Sequence, residues 1–341
     1  MKRIDIIGGG LAGLTLGIGL RRLDIPVRVF EAGQYPRHRV CGEFISGRGR
    51  AVLEELGLRP LLEKAGAFEA RTVRFFAGNH HSPVRHLPEP ALCLSRYKLD
   101  ALLASEFERT GGELVLNTRY PPQPGAEGVV NASGRRLRAA EPARWFGVKV
   151  HARNVPLSAD LEMHVCRSGY IGANRIDSGE INVCGLLQAR PGDTTRSKIH
   201  WLRGDKGTAL QERLRGAELR EETFCAVGGI SLKAHAARDE RDCCIGDAIT
   251  MIPPVTGNGM SMAFESAKVA VQPLADYARG AMNWDTARSE VARRCDAAFA
   301  RRLAWARVLQ WLMVSDRLSG ALGVWLLNSE WFWKLMFART R

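Results

Sequence analysis

Short apolar runs set the pattern at the N-terminus. Arg3–Ile7 reads as a strand, Leu11–Leu23 as a helix, and Val27–Phe30 as a second strand that ends at Glu31. Strand, helix and strand in that order build a parallel sheet covered by helices. The rhythm returns further on. Tyr97–Thr110 reads as a helix, followed by a strand around Leu114–Leu116. The run GVVNASG is a strand ending in Gly134, Cys243–Ile245 is strand-like, and a helical stretch runs from Met260 toward Tyr277. Residues 68–90 and 144–235 differ. They hold short β-type runs punctuated by glycine, among them ARWFGVKVHA and DLEMHV, both with partial alternation. They predict an inserted antiparallel layer roofing a pocket at the domain junction. At 341 residues the chain is one large domain or two interleaved ones.

Glycine placement brings chemistry to this frame. Gly8, Gly10 and Gly13 form G-x-G-x-x-G between the first strand and the first helix. Gly8 permits the tight turn, Gly10 lets a pyrophosphate approach the backbone, and Gly13 lets the helix pack closely on the sheet. The helix N-terminus offers free N–H groups and positive dipole to phosphates. Glu31, at the end of the second strand, can accept both ribose hydroxyls and would repel a 2′-phosphate. The motif fits an adenine dinucleotide without separating NAD from FAD.

A second stretch separates them. In CCIGDAITMIPPVTGNGMSMAFESA, a strand ends at Gly246-Asp247 and a turn from Pro253-Pro254 through Gly257-Asn258-Gly259 opens a helix. The aspartate can accept a hydroxyl from a sugar-like chain. The turn directs N–H groups and dipole at an electron-rich group. Gly246-Asp247-Ala248 through Pro254, Gly257 and Gly259 resembles the second FAD motif of the p-hydroxybenzoate hydroxylase-fold flavoproteins. That superfamily includes aromatic hydroxylases, flavin halogenases and geranylgeranyl reductases. The resemblance covers about residues 1–50, 90–140 and 240–280.

The resemblance implies an α/β fold: a Rossmann-type FAD-binding domain, an inserted antiparallel β-sheet substrate domain and a C-terminal helical region. The expected bounds are 1–67, 91–143 and 236–284 for the FAD domain, 68–90 and 144–235 for the sheet, and 285–341 for the helices. It assigns Asp247 to the ribityl chain, lays Pro254 and the Gly257–Gly259 turn with Asn258 and Met260 against the isoalloxazine, and brings Arg96 toward the FAD. Gly8, Gly10, Gly13, Glu31, Arg39, Cys41, Gly42, Gly134 and Gly246 complete the expected FAD contacts. Two departures weaken a standard NADPH-dependent aromatic hydroxylase. Ser133 stands where the hydroxylases usually carry an acid, and Thr250 where many carry histidine.

The loop PRHRVCGEFIS, Pro36–Ser46, resembles the geranylgeranyl-reductase-like branch, where Cys-Gly follows basic residues. Cations beside Cys41 favour a thiolate, yet unpaired cysteines mostly pack. Packing is the reading preferred for Cys41, with Glu43 and Ser46 facing flavin or substrate. Cys41, Glu43, Ser46 and Pro254 are the catalytic candidates. Tyr170, His164 and His151 are possible polar pocket groups, each more often structural. No nucleophile elbow and no tryptophan-containing halogenase signature is present.

The net charge is +13, with forty arginines and nine lysines spread along the chain. No clustered stripe or nucleic-acid module accompanies it, so no nucleic-acid partner is expected. None of the eight cysteines forms CxxC or zinc spacing, so no metal is expected. Because the first residues already form a strand, no secretory signal is read, and a cytoplasmic location with reduced thiols is expected. Residues 286–341 carry ten basic and four acidic residues and Trp305, Trp311, Trp325, Trp331 and Trp333. The apolar run Ala321–Leu327 is far short of the roughly 20 residues of a spanning helix. A helical pair packed on the protein is expected slightly ahead of an interfacial amphipathic helix on an anionic membrane face. Without a second G-x-G-x-x-G, NADPH or NADH is expected only as a transient reductant. The leading reaction is monooxygenation of a lipophilic or polyketide-like molecule. Reduction of isoprenoid-type double bonds and a membrane-associated electron-transfer flavoprotein are the alternatives.

Overall fold

A computed structural model describes every residue except 122, 136–144, 167, 189–197, 315–327 and 341. Five short strands form a wholly parallel sheet: β1 (Ile4–Ile7), β2 (Val27–Phe30), β7 (Glu113–Val115), β8 (Val129–Asn131) and β14 (Cys243–Cys244), in the order β14-β8-β1-β2-β7. Helices α1 (Leu11–Arg21), α4 (Arg96–Arg109) and α6 (Gly259–Ala278) accompany it. Helix α1 is apolar almost all round because it is buried almost all round, from Leu11 to Leu20. A Cβ on Gly17 would lie 2.7 Å from the Phe107 ring, and one on Gly19 2.7 Å from Val271, so these glycines set its approach to α4 and α6.

Among the described residues, nine strands form the second sheet. They are β3 (Phe44–Ile45), β4 (Phe68–Ala77), β5 (His80–His81), β6 (Arg85–Cys93), β9 (Trp145–Arg153), β10 (Leu161–Cys166), β11 (Gly169–Arg175), β12 (Ile181–Gln188) and β13 (Glu218–Ile230). The order is β13-β9-β12-β11-β10-β4-β6-β3, with β5 hairpinned onto β4. One pairing departs from the expected antiparallel layer: β10 runs parallel to β4, Leu161 opposite Val73. A parallel neighbour needs a long crossover, and here the chain leaves β4, passes through the parallel sheet and returns. Alternation decides the two faces. On one, Val148, Val150, Ile171, Ala173 and Val183 pack beneath Leu210 and Leu214 of α5 (Ala209–Leu214). The other face looks toward the parallel sheet.

Helices α2 (Arg48–Glu55) and α3 (Arg59–Lys64) connect β3 to β4, with α2 packed on α6 and α3 on α4. At the C-terminus α7 (Trp284–Val314) packs along α6, and α8 (Glu330–Thr340) returns to cover the second sheet. Trp333 of α8 meets Phe75 edge-on, ring centres 5.7 Å apart, and its Nε1–H donates to the His86 carbonyl. Trp331 on the same helix is 72% exposed. Trp325 and the run Ala321–Leu327 lie outside the described residues. No helix of the described residues is long and apolar enough to cross a membrane.

Candidate active site

One cavity of about 1320 Å³ runs between the two sheets and joins both glycine motifs. At its first end β1 passes into α1 through the tight turn. Gly8 has φ +103°, and a Cβ there would sit 2.5 Å from the Ala132 carbonyl oxygen. A Cβ on Gly13 would fall 2.0 Å from the Gly8 carbonyl oxygen, so Gly13 serves packing and stays behind the wall. Gly10 instead faces open space, with nothing within 4 Å of its ideal Cβ. No side chain caps α1, which leaves its first N–H groups to a ligand.

Glu31 closes this end. Its oxygens accept the Gly9 N–H at 3.0 Å and the Gly33 N–H at 2.9 Å, with Arg37 at 2.6 Å and Arg39 at 3.7 Å. Burial pushes the carboxyl up, but Gly33, Arg37 and Arg39 outweigh it and hold it below its ordinary range. The acid is thus ionised and fixed in place before any ribose arrives. Arg39 also reaches Asp100 at 3.3 Å, which Arg96 grips through two bonds of 2.6 and 2.8 Å. Arg37 and Arg119 line the cavity beside them, as does Tyr120, whose ring packs on Phe30. Nothing in the glycine motif marks these three in advance.

At the second end Asp247 stands against the cavity. The enclosing protein raises its pKa to about 6, although Arg96 and Arg135 pull it down. Gly246, with φ +61°, and Asn258 lie behind the lining; Gly257, with φ +64°, turns the chain into α6. No side chain caps α6, and Gly259 and Met260 line the cavity with Pro254. Gly134 and Ser133 close the floor. Thr250 points elsewhere, accepting the His235 N–H at 3.1 Å.

Between the ends lies the 36–46 loop. Cys41, Gly42 and Glu43 line the cavity, whereas Ser46 is buried away from it, and its carbonyl accepts Ser261 Oγ–H at 2.6 Å. Glu43 has φ +53° and is fully buried. Non-glycine residues rarely adopt that conformation, and here three partners hold it. Oε1 accepts the Arg96 N–H at 2.8 Å and Lys149 Nζ at 3.0 Å, and Oε2 pairs with His151 Nε2 at 2.7 Å. Burial pushes Glu43 up, but His151, Lys149 and the Arg96 N–H prevail and hold it low. Lys149 is fully buried. Its ammonium faces His38 Nδ1 at 3.4 Å, and burial together with Lys149 and His151 brings His38 down to about 4.

Burial raises the Cys41 thiol despite nearby Arg96, the balance expected of a packed cysteine. The tertiary structure does add neighbours absent from the local sequence. Cys184 and Cys225 both lie opposite Lys149 in register, and all three thiols line the cavity. Of the pocket histidines and tyrosine that the sequence suggests, only Tyr170 reaches the lining. His151 serves Glu43, and His164 points through the opposite face, bonded to Glu162 at 3.0 Å and stacked on Phe76.

Beyond the loop the wall becomes apolar. Val73, Phe75, Leu161, Met163, Val165 and Leu186 face inward from the second sheet, and Phe332, Trp333, Met336 and Phe337 of α8 close over them. Period-two alternation explains the strand residues; nothing local marked α8 as cavity wall. No cluster of three or more metal-ligating side chains occurs among the described residues. The uncapped helix N-termini, Gly10 and Gly259 open to the cavity, and the arginines between them suit a long ligand with a dianionic pyrophosphate between two ring systems, which is the shape and charge of FAD.

No family model matches the chain. A menaquinone reductase of Mycolicibacterium smegmatis is 23% identical over 88% of this chain and 83% of its own length. The flavin-dependent brominase Bmp2 superposes with TM-score 0.77 at 16% identity, covering 99% of this chain and 93% of that one. The PqsL protein of P. aeruginosa, solved with 2-aminobenzoylacetate, gives 0.70 at 18% identity, over 95% of this chain and all of the other. These likenesses establish the fold as that of the FAD-dependent oxidoreductases.

Proposed function

We propose that this chain, an FAD-dependent oxidoreductase of the p-hydroxybenzoate hydroxylase-type fold, is a monooxygenase of a lipophilic small molecule. The observation that carries the reading is the continuous cavity, lined by the two glycine motifs at one end and apolar at the other. FAD, when bound, supplies the redox and oxygen chemistry. The chain's own groups do the rest. The N-termini of α1 and α6 and the arginines hold the anionic ligand. Asp247 accepts hydroxyls, and the apolar wall excludes water from the reacting end. NADPH or NADH serves as transient reductant, since the chain carries one G-x-G-x-x-G.

A second reading, reduction of an isoprenoid-type double bond, draws on the likeness to a menaquinone reductase. The brominase likeness supports the fold and carries no halide chemistry to this chain. A cavity that extends well past the dinucleotide residues counts against a purely electron-transferring protein.

The experiment reduces the holoprotein without oxygen, adds long-chain alkylphenols or prenylated quinones, and then admits isotopically labelled dioxygen. Product that forms only after oxygen enters and retains the label supports the monooxygenase. A saturated product formed before oxygen enters replaces it with the reductase.

A further inference from the structure

We infer that the site selects a lipophile bearing one hydrogen-bond-accepting oxygen, with the Tyr170 hydroxyl as the group that reads that oxygen. The inference rests on the proposed reading of the cavity as a flavin-bearing pocket for a lipophile. Tyr170 sits mid-wall on β11, opposite Val165 on β10 and Leu186 on β12. It is 3% exposed, and its hydroxyl proton has no acceptor among the described residues. A buried hydroxyl without a partner costs stability, and native proteins seldom keep one without cause. Apolar side chains pack about it, among them Met163, Leu186, Ile230, Met251 and Val255.

The polarity of the missing partner follows from the neighbour. Val255 packs against Tyr170, and its backbone N–H can only donate toward the phenol oxygen, which leaves the hydroxyl proton for an acceptor on the ligand. Burial keeps the phenol protonated by raising its pKa well above the ordinary value. Val255 belongs to the Pro254–Thr256 turn, which leads into α6 at the flavin-binding end. An oxygen bonded to Tyr170 is therefore held beside that turn. The rest of the ligand extends toward Phe75, Trp333 and Met336 under α8, where the lining is mostly apolar. A carbonyl-bearing lipophile fits this arrangement, with its ketone or quinone oxygen at Tyr170 and its hydrocarbon under α8.

The test compares octanophenone with octylbenzene, which share ring and chain and differ by the carbonyl. Binding to oxidised holoprotein is followed by equilibrium dialysis and by the flavin absorbance change. Octanophenone should bind about tenfold more tightly, the ratio that one well-made hydrogen bond supports. Tyr170→Phe should abolish that preference while leaving FAD content and octylbenzene affinity unchanged. Equal binding of the two compounds to the unaltered protein overturns the inference without needing any variant, and so does a preference that survives in Tyr170→Phe. Failure of the underlying reading looks different: the chain takes up no FAD, or the holoprotein retains FAD and binds neither compound.

Discussion

The second sheet carries two buried clusters of the same composition, one on each face. On the inner face Glu43 meets Lys149 and His151. On the outer face Glu162 meets His164 and Arg213, with Ser158 donating to it twice. Each is an acid, a histidine and a cation, and each acid is held below its ordinary pKa. What they connect differs. Glu162 and His164 are two residues apart on one strand, and Arg213 comes from α5 just above, with a quarter of its side chain exposed. Glu43 reaches His151 across 108 residues and also holds the first N–H of α4. The inner cluster fastens the cavity loop to β9 and to the start of α4, whereas the outer one ties a strand to a helix near the surface. A buried charge triad thus takes its role from the elements it ties together.

The largest effect is expected for Glu43→Ala. It strands the fully buried Lys149 ammonium, and removing one partner of a buried pair costs about 3–5 kcal/mol. Denaturant unfolding should show that loss, and FAD content should fall with it because the 39–43 loop is released. A Glu43→Ala protein that unfolds as the parent does and keeps its flavin would reduce the inner cluster to the rank of the outer one.

Glu162→Ala should cost less, about 1–3 kcal/mol, since water can reach Arg213, and the flavin spectrum should not change. The outer cluster also has a pH signature. Glu162 lies at about 2 in the fold against an ordinary 4.5. A depressed carboxyl contributes stability that is complete above the unfolded value and lost as pH falls through the folded one. Thermal melts between about pH 4.5 and 2 should therefore show a slope that Glu162→Gln flattens. Loss of flavin from either Glu162 variant would erase the distinction between the faces.

Asp247→Asn probes the other side of the cavity, where an acid is pushed the opposite way. With its pKa raised to about 6, the carboxyl's contribution is present at low pH and lost as pH rises through that value. The apoprotein of Asp247→Asn should therefore be at least as stable as the parent at neutral pH. It should hold FAD about tenfold more weakly by dialysis, the loss of one hydrogen-bonded anion.

The smallest effect is expected at Cys41. Its thiol is raised by burial and the loop is fastened through Glu43, so Cys41→Ser should retain FAD and most turnover. Complete loss of turnover with intact flavin absorbance would make the thiol a reactant.

Local chemistry made the dinucleotide half legible in the chain itself. Gly8 and Gly257, both at positive φ, and Gly13, packed on the Gly8 carbonyl, answer to tight turns within a few residues, and Gly10 and Gly259 leave the backbone open to a ligand beside those turns. Short-range steric demands leave a trace in short stretches of sequence. Alternation likewise indicated the second sheet, though not the parallel pairing of β4 with β10, because register across a long crossover is set by packing. Only the fold could decide the rest. Lys149 looks like a surface residue in GVKVHA, and it becomes a buried counterion because Glu43 arrives from a distant loop. Tyr170 was one of three polar candidates, and the face of β11 on which it falls placed it in the cavity while His151 and His164 went elsewhere. The tail's aromatic residues read as packing on the protein slightly ahead of membrane contact. Trp333 was drawn inward against Phe75 and Trp331 left outside, a division of one helix into two faces that follows from what the rest of the chain puts beneath it.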